Sequence, residues 1–197
     1  MEQAKVARQT ITKARVGGAR GLSRRAFHFW HGWTFGWFGA AILAVVLLAL
    51  GMRLWELGGR AMHYDEGIHV HYAWRLFESE GAWLGWPWVF GTDFIHSPWM
   101  HGPFQFELTA LVFRLFGDSD FTSRLVYALF GAALVGLPYF LRDYLGRAGA
   151  MLAAVMLALS PSLLYFSRFG RNDILMAFWA ASILVLMWRF IHEGKYR

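Results

Sequence analysis

Apolar residues in this chain fall into long unbroken blocks rather than into the one-sided stripes of a water-soluble helix. Phe35 through Met52 holds no charged residue, and a helix over 33–52 is long enough to cross most of a bilayer core. Three more apolar blocks follow at 121–141, 148–166 and 174–191. The stretch 53–120 between the first two is polar, but it carries two short helical patterns. Gly67 to Ser79 offers Ile68, Tyr72, Leu76 and Phe77 for a buried face, and Phe104 to Phe116 sets Glu107 and Arg114 on one side. Both are too short to span, which places them in the interface plane. Pro87, Pro98 and Pro103 break any regular element between them. The pattern predicts an all-α membrane protein of about four transmembrane helices, with a long external loop that carries interfacial helices.

Composition sharpens that picture. Hydrophobic residues make up 57% of the 197 and charged ones 16%, too little polar surface to cover a soluble globule. The net charge of +6 is local. Residues 1–32 hold Lys5, Arg8, Lys13, Arg15, Arg20, Arg24 and Arg25 against Glu2 alone, and the remaining basics and acids balance. A basic tail before an apolar run keeps an N-terminus in the cytoplasm and attracts anionic lipid headgroups, so membrane lipids rather than nucleic acid are the expected partners. The run reads as a retained anchor, not a cleaved signal. The loop 53–120 is acidic and is assigned outside, whereas the turn Arg142–Arg147 and the residues Arg189, Lys195 and Arg197 suit the inside. The expectation is a multi-pass protein of the plasma (inner) membrane: a cytoplasmic tail 1–32, a transmembrane module 33–191 and a cytoplasmic tail 192–197. Cysteine is absent, which excludes thiol chemistry.

The chemistry gathers at His63-Tyr64-Asp65-Glu66, followed by His69 and His71. Adjacent acids raise one another's pKa and cost desolvation when buried. Acids in a first helical turn also cap free amides, which is the plain structural alternative. His63, Asp65 and His69 form a candidate divalent-metal set, since Asp65 and His69 lie one helical turn apart. His71, His96 and His101 read as loop hydrogen-bonders, and Trp83, Trp86, Trp88 and Trp99 as interfacial anchors. His28 and His31 lie outside any span, against a pigment-ligand reading. Pro161, between Ser160 and Ser162, is expected to kink the third span near its outer end. Beyond it come Arg168, Arg171 and Asp173, on the same external face as the acids. Two guanidiniums there either snorkel to headgroups or seat a phosphate in bidentate fashion, while a carboxylate takes a proton from a hydroxyl.

These motifs resemble the GT-C type glycosyltransferases, multi-span enzymes that use polyprenyl-phosphate-linked sugars. His63-Tyr64-Asp65-Glu66-Gly67 is similar to the acidic motif of their first external loop. His101-Gly102-Pro103-Phe104, Leu115-Phe116-Gly117-Asp118-Ser119-Asp120 and Ser160-Pro161 through Asn172-Asp173 resemble the protein O-mannosyltransferase-like branch that includes flippase-activity-associated membrane proteins. The resemblance implies Asp65 as catalytic base, with Glu66 beside it in acceptor or metal contacts. It implies Arg168 and Arg171 at the carrier phosphate, oriented by Asp173, and a polyprenyl-phosphate sugar as donor. A divalent metal is the one candidate cofactor. Family members carry more spans than four, so the chain is expected to be the N-terminal part of such a transferase or a relative derived from one. The alternative is a non-catalytic accessory subunit bound to other membrane proteins.

Overall fold

The computed structural model describes residues 36–78 and 103–192. The basic tail, the stretch 79–102 with His96, His101 and four of the tryptophans, and the end of the chain lie outside the described residues. Two compact units divide at Gly39, and the packing below concerns Ala40 onward. Every described element is helical. In order they are α1 (Trp37–Leu54), α2 (Tyr64–Glu78), α3 (Phe104–Phe116), α4 (Asp120–Gly136), a 3-10 turn (Leu137–Leu141), α5 (Arg142–Leu159), α6 (Pro161–Phe166) and α7 (Asp173–His192).

Local chemistry explains most of the boundaries. Ser119 caps α4 by accepting from the Thr122 amide, and its own amide donates to Thr122 Oγ1 at 2.9 Å, so two otherwise free donors are satisfied. Pro161 stands in the first turn of α6, where its missing N–H is harmless, and Ser160 Oγ accepts from the Leu163 amide. The expected kink is therefore a full break between α5 and α6. Glu56 ends α1 in the left-handed region (φ 47°), a conformation disfavoured for residues other than glycine.

Three helical runs are long and apolar enough to cross a membrane: α1, the run Asp120–Leu159 and α7. The middle run holds 40 residues, about 60 Å if straight and twice a bilayer core. It is not straight. Gly146 breaks it with φ 70°, and α5 packs back against α4. This break lies within the turn predicted at Arg142–Arg147. At that end of the bundle Tyr144 meets Trp188 and His192 of α7 edge-on, at 6.1 and 5.5 Å.

The two short helices of the polar stretch are present, α2 starting three residues earlier than the periodicity indicates. They pack on each other through Ala73, Leu76, Phe106, Ala110 and Phe113. A second core joins α4 to α7 through Val126, Tyr127, Leu134, Ile174 and Leu175. The inward face of α2 differs from expectation: Glu66, His69, Ala73 and Leu76 are buried, while Ile68, Tyr72 and Phe77 are only partly covered. Arg53 also departs from the reading that put it beyond the first span. It lies in the last turn of α1, fully buried, donating to Ser167 Oγ at 3.0 Å and to the Ala49 carbonyl at 3.0 Å. Gly131 makes room for that contact, since a Cβ there would fall 2.6 Å from Ser167 Oγ and 3.0 Å from Arg53 Nε.

Candidate functional site

The first turn of α2 is organised by Glu66. Its side chain is wholly buried and both oxygens are occupied. Oε1 accepts from Arg124 Nε at 2.9 Å and from the Gly170 amide at 2.8 Å. Oε2 accepts from Arg124 Nη2, from Arg60 Nη2 and from the His63 amide, each at 3.0 Å. Burial alone pushes this carboxyl up, but the Arg124 hydrogen bond, the Gly170 and His63 amides and the Arg124 charge outweigh it, holding Glu66 below its ordinary value. Arg124 is equally committed, its Nη1 donating at 3.0 Å to the carbonyls of both Leu57 and Arg60. One ion pair thus ties together α2, α4, the turn after α1 and the segment before α7. Both Glu66 oxygens, expected beside an acceptor or metal, are instead taken up by the protein's own donors.

Asp65 points elsewhere. Its side chain is 42% exposed and its Oδ2 accepts from Arg171 Nη1 at 3.0 Å. Arg171 Nε in turn stands 3.3 Å from Asp173 Oδ2, without the alignment of a hydrogen bond. The acidic motif and the arginine cluster, more than a hundred residues apart, are therefore in direct contact. Asp173 thus flanks Arg171 on the side away from Asp65.

Arg168 and Arg171, expected to act together, are separated. Arg168 Nη2 donates to the Trp55 carbonyl at 2.6 Å, closing the end of α1. Its side chain lines a cavity of about 300 Å³ with Leu57, Arg60, Pro161, Leu164 and Tyr165. The second guanidinium of that cavity is Arg60, 44% exposed, which lies over the Tyr165 and Phe169 rings at 5.5 and 5.3 Å. Arg171 is drawn out of the pair because two carboxylates hold it.

The proposed metal set does not assemble. His69 faces inward, its Nδ1 3.3 Å from Gln105 Nε2 and its ring stacked on Phe106. His63 Nδ1 is occupied by the Asp65 amide at 3.2 Å. No group of three metal-ligating side chains converges among the described residues.

Sequence reasoning passed over Arg124 and Arg60. Arg124 had a readable signal: a charged residue near the start of an apolar span needs a partner, because lipid offers none. Arg60 had none, since an arginine after Gly58-Gly59, outside the apolar blocks, is ordinary as sequence.

The profile described as dolichyl-phosphate-mannose-protein mannosyltransferase matches residues 100–197. That stretch contains Arg124, the segment from Ser160 to Asp173 and α7, while Asp65 and Glu66 precede it. Comparison with curated proteins and with solved structures returned no match. The matched half supplies Arg124 and the Gly170 amide, two of the groups that Glu66 binds, together with two of the three membrane-compatible runs. From residue 100 onward the chain belongs to the dolichyl-phosphate-mannose-protein mannosyltransferase family, and its long apolar helices make it an integral membrane protein.

Proposed function

We propose that this chain is the carrier- and acceptor-facing part of a membrane glycosyltransferase that uses a polyprenyl-phosphate-linked sugar. The observation that carries this reading is the cavity that sets two guanidiniums, Arg60 and Arg168, against an apolar wall of Leu57, Pro161 and Leu164. A phosphate on an isoprenoid tail needs that combination: cationic donors for the phosphate oxygens and a greasy surface for the first units of the chain. Arg60 shares Glu66 with Arg124, so the carrier site and the first turn of α2 are mechanically one piece.

The reaction follows from the carboxylate that remains accessible. Asp65 takes the proton of an acceptor hydroxyl as its oxygen forms a bond to the anomeric carbon. The bond from that carbon to the carrier phosphate breaks, and the phosphate leaves with its charge on Arg60 and Arg168. Attack opposite the leaving group inverts the anomeric centre. Arg171 holds Asp65 by one oxygen, and this orients the base rather than binding phosphate.

The topology that supports this chemistry has four crossings, by α1, α4, α5 and α7, with both termini in the cytoplasm of a cell bounded by the plasma membrane. Arg124 near the start of α4 and Gly170 just before α7 meet at Glu66, whereas Tyr144 near the start of α5 and His192 at the end of α7 meet each other. The acidic turn is then external.

Membranes carrying the protein, supplied with a labelled polyprenyl-phosphate sugar, provide the test. Wild type is expected to transfer label, and Asp65→Asn to lose about a hundredfold or more. Equal transfer by the two would remove Asp65 from the mechanism.

A further inference from the structure

A second pocket, an open depression of about 540 Å³ at the start of α2, is lined by Met62, His63, Tyr64, Gly67, Ile68, His71 and Tyr72. Its volume is in the range of small-molecule sites. None of its lining residues is an acid, a lysine or an arginine, in contrast to the carrier cavity. Four of them present rings, and Tyr64, in the first turn of α2, stands 78% exposed. Exposed rings beside a polar donor suit the C–H face of a sugar, since the ring buries the apolar face while hydroxyls keep their hydrogen bonds.

His63 supplies the donor, and the fold fixes which nitrogen does so. The residue is the N-cap of α2: its carbonyl accepts the first helical bond from the Gly67 amide at 2.9 Å. Its Nδ1 accepts from the Asp65 amide at 3.2 Å, while Glu66 reaches back to the His63 amide. This is a capping box with an imidazole in the place usually held by serine or threonine. An Nδ1 that accepts must keep its lone pair, so in the neutral ring the proton sits on Nε2. The same side chain that aligns Asp65 therefore carries an N–H on the ring of a pocket-lining residue.

We propose that this pocket is an acceptor subsite for an uncharged, hydroxyl-bearing sugar ring, with His63 Nε2–H as a positioning donor to one of its oxygens and Tyr64 as its platform. The assignment of the sugar as acceptor rests on the glycosyltransferase reading above; the binding of the sugar does not.

Two isosteres separate the two nitrogens of His63. His63→Asn places a polar atom near Nδ1 and keeps the cap but not the outer donor; His63→Gln reaches the Nε2 position and loses the cap. In the transfer assay with a neutral glycoside as acceptor, His63→Asn is expected to raise the acceptor KM about tenfold, the worth of one hydrogen bond, with the donor KM unchanged. His63→Gln is expected to stay nearer the wild-type KM and to melt at lower temperature. An unchanged acceptor KM in His63→Asn, where Asp65→Asn is inactive, overturns the donor role and leaves the transferase reading intact. Independently of any transfer, saturation-transfer NMR with methyl α-glucopyranoside over the protein in nanodiscs is expected to label the sugar ring protons, and Ile68→Trp, whose indole intrudes on the pocket, to weaken the signal. No labelling by wild type, an equal signal from Ile68→Trp, or labelling of an N-acetylserine amide in place of the glycoside would each overturn the site.

Discussion

Glu66 and Arg124 form a bidentate pair, with Nε–Oε1 at 2.9 Å and Nη2–Oε2 at 3.0 Å, although 58 positions separate them in the chain. Both side chains are essentially excluded from solvent. Breaking one half of such a pair leaves the other charge buried without compensation, which costs about 3–5 kcal/mol. Glu66→Gln and Arg124→Met are each expected to lower the thermal midpoint in detergent sharply. The double variant is expected to melt above the sum of the two losses, because no charge is then stranded. A Glu66→Gln protein that melts with wild type would remove the pair from the stability of the fold.

The pH dependence has a definite sign. Folding holds the Glu66 carboxyl below its ordinary value of 4.5, so the unfolded chain binds the proton more readily. The stabilisation is complete above that ordinary value and is lost as pH falls through the lower, folded one. Melting temperatures measured across the acid range should drop for wild type and drop less for Glu66→Gln. Parallel curves for the two proteins would assign the acid sensitivity to other groups.

Gly131 leaves the least room for a side chain among the described glycines. A methyl group there would lie inside contact distance of Ser167 Cβ and 3.0 Å from Arg53 Nε. Ser167 Oγ also bonds the Leu163 carbonyl, so it has little freedom to withdraw. Gly131→Ala is expected to destabilise by about 1–3 kcal/mol through overpacking. Thermal unfolding in detergent reads this directly, and a neutral result would mean that α4 shifts without cost.

Glu56 offers the reverse case. Its φ of 47° is accessible to glycine without strain. Glu56→Gly is expected to stabilise the end of α1 by about 0.5–1 kcal/mol, less what the freer unfolded chain takes back. A lower midpoint for this variant would show that the Glu56 side chain makes a contact worth more than the strain.

The division between the arginines predicts a kinetic split. Arg168→Gln removes a guanidinium from the carrier cavity and is expected to raise the donor KM about tenfold. Arg171→Gln frees Asp65 and is expected to lower kcat instead. Donor titrations on both variants decide the matter: the same KM effect from each would return Arg171 to the phosphate site.

The sequence by itself determined what depends on composition and local order. Uncharged blocks too long for a soluble core specify membrane-compatible helices, and period and capping residues specify α2, α3 and the start of α4 from within their own segments. The acidic motif and the arginine cluster were legible as chemistry, and the topology argument brought them to one face. Only the tertiary structure decided which carboxylate is available, because that depends on what packs against each. Asp65 and Glu66 are neighbours of like charge, and no local pattern tells them apart. Arg124, the Gly170 amide and Arg60 arrive from distant segments and enclose Glu66. Asp65, one position earlier and turned about 100° around the helix, is left with Arg171 at the surface. The same geometry splits Arg168 from Arg171 and turns His69 inward away from His63, since long-range ion pairs and buried hydrogen bonds, rather than spacing, set where these side chains point.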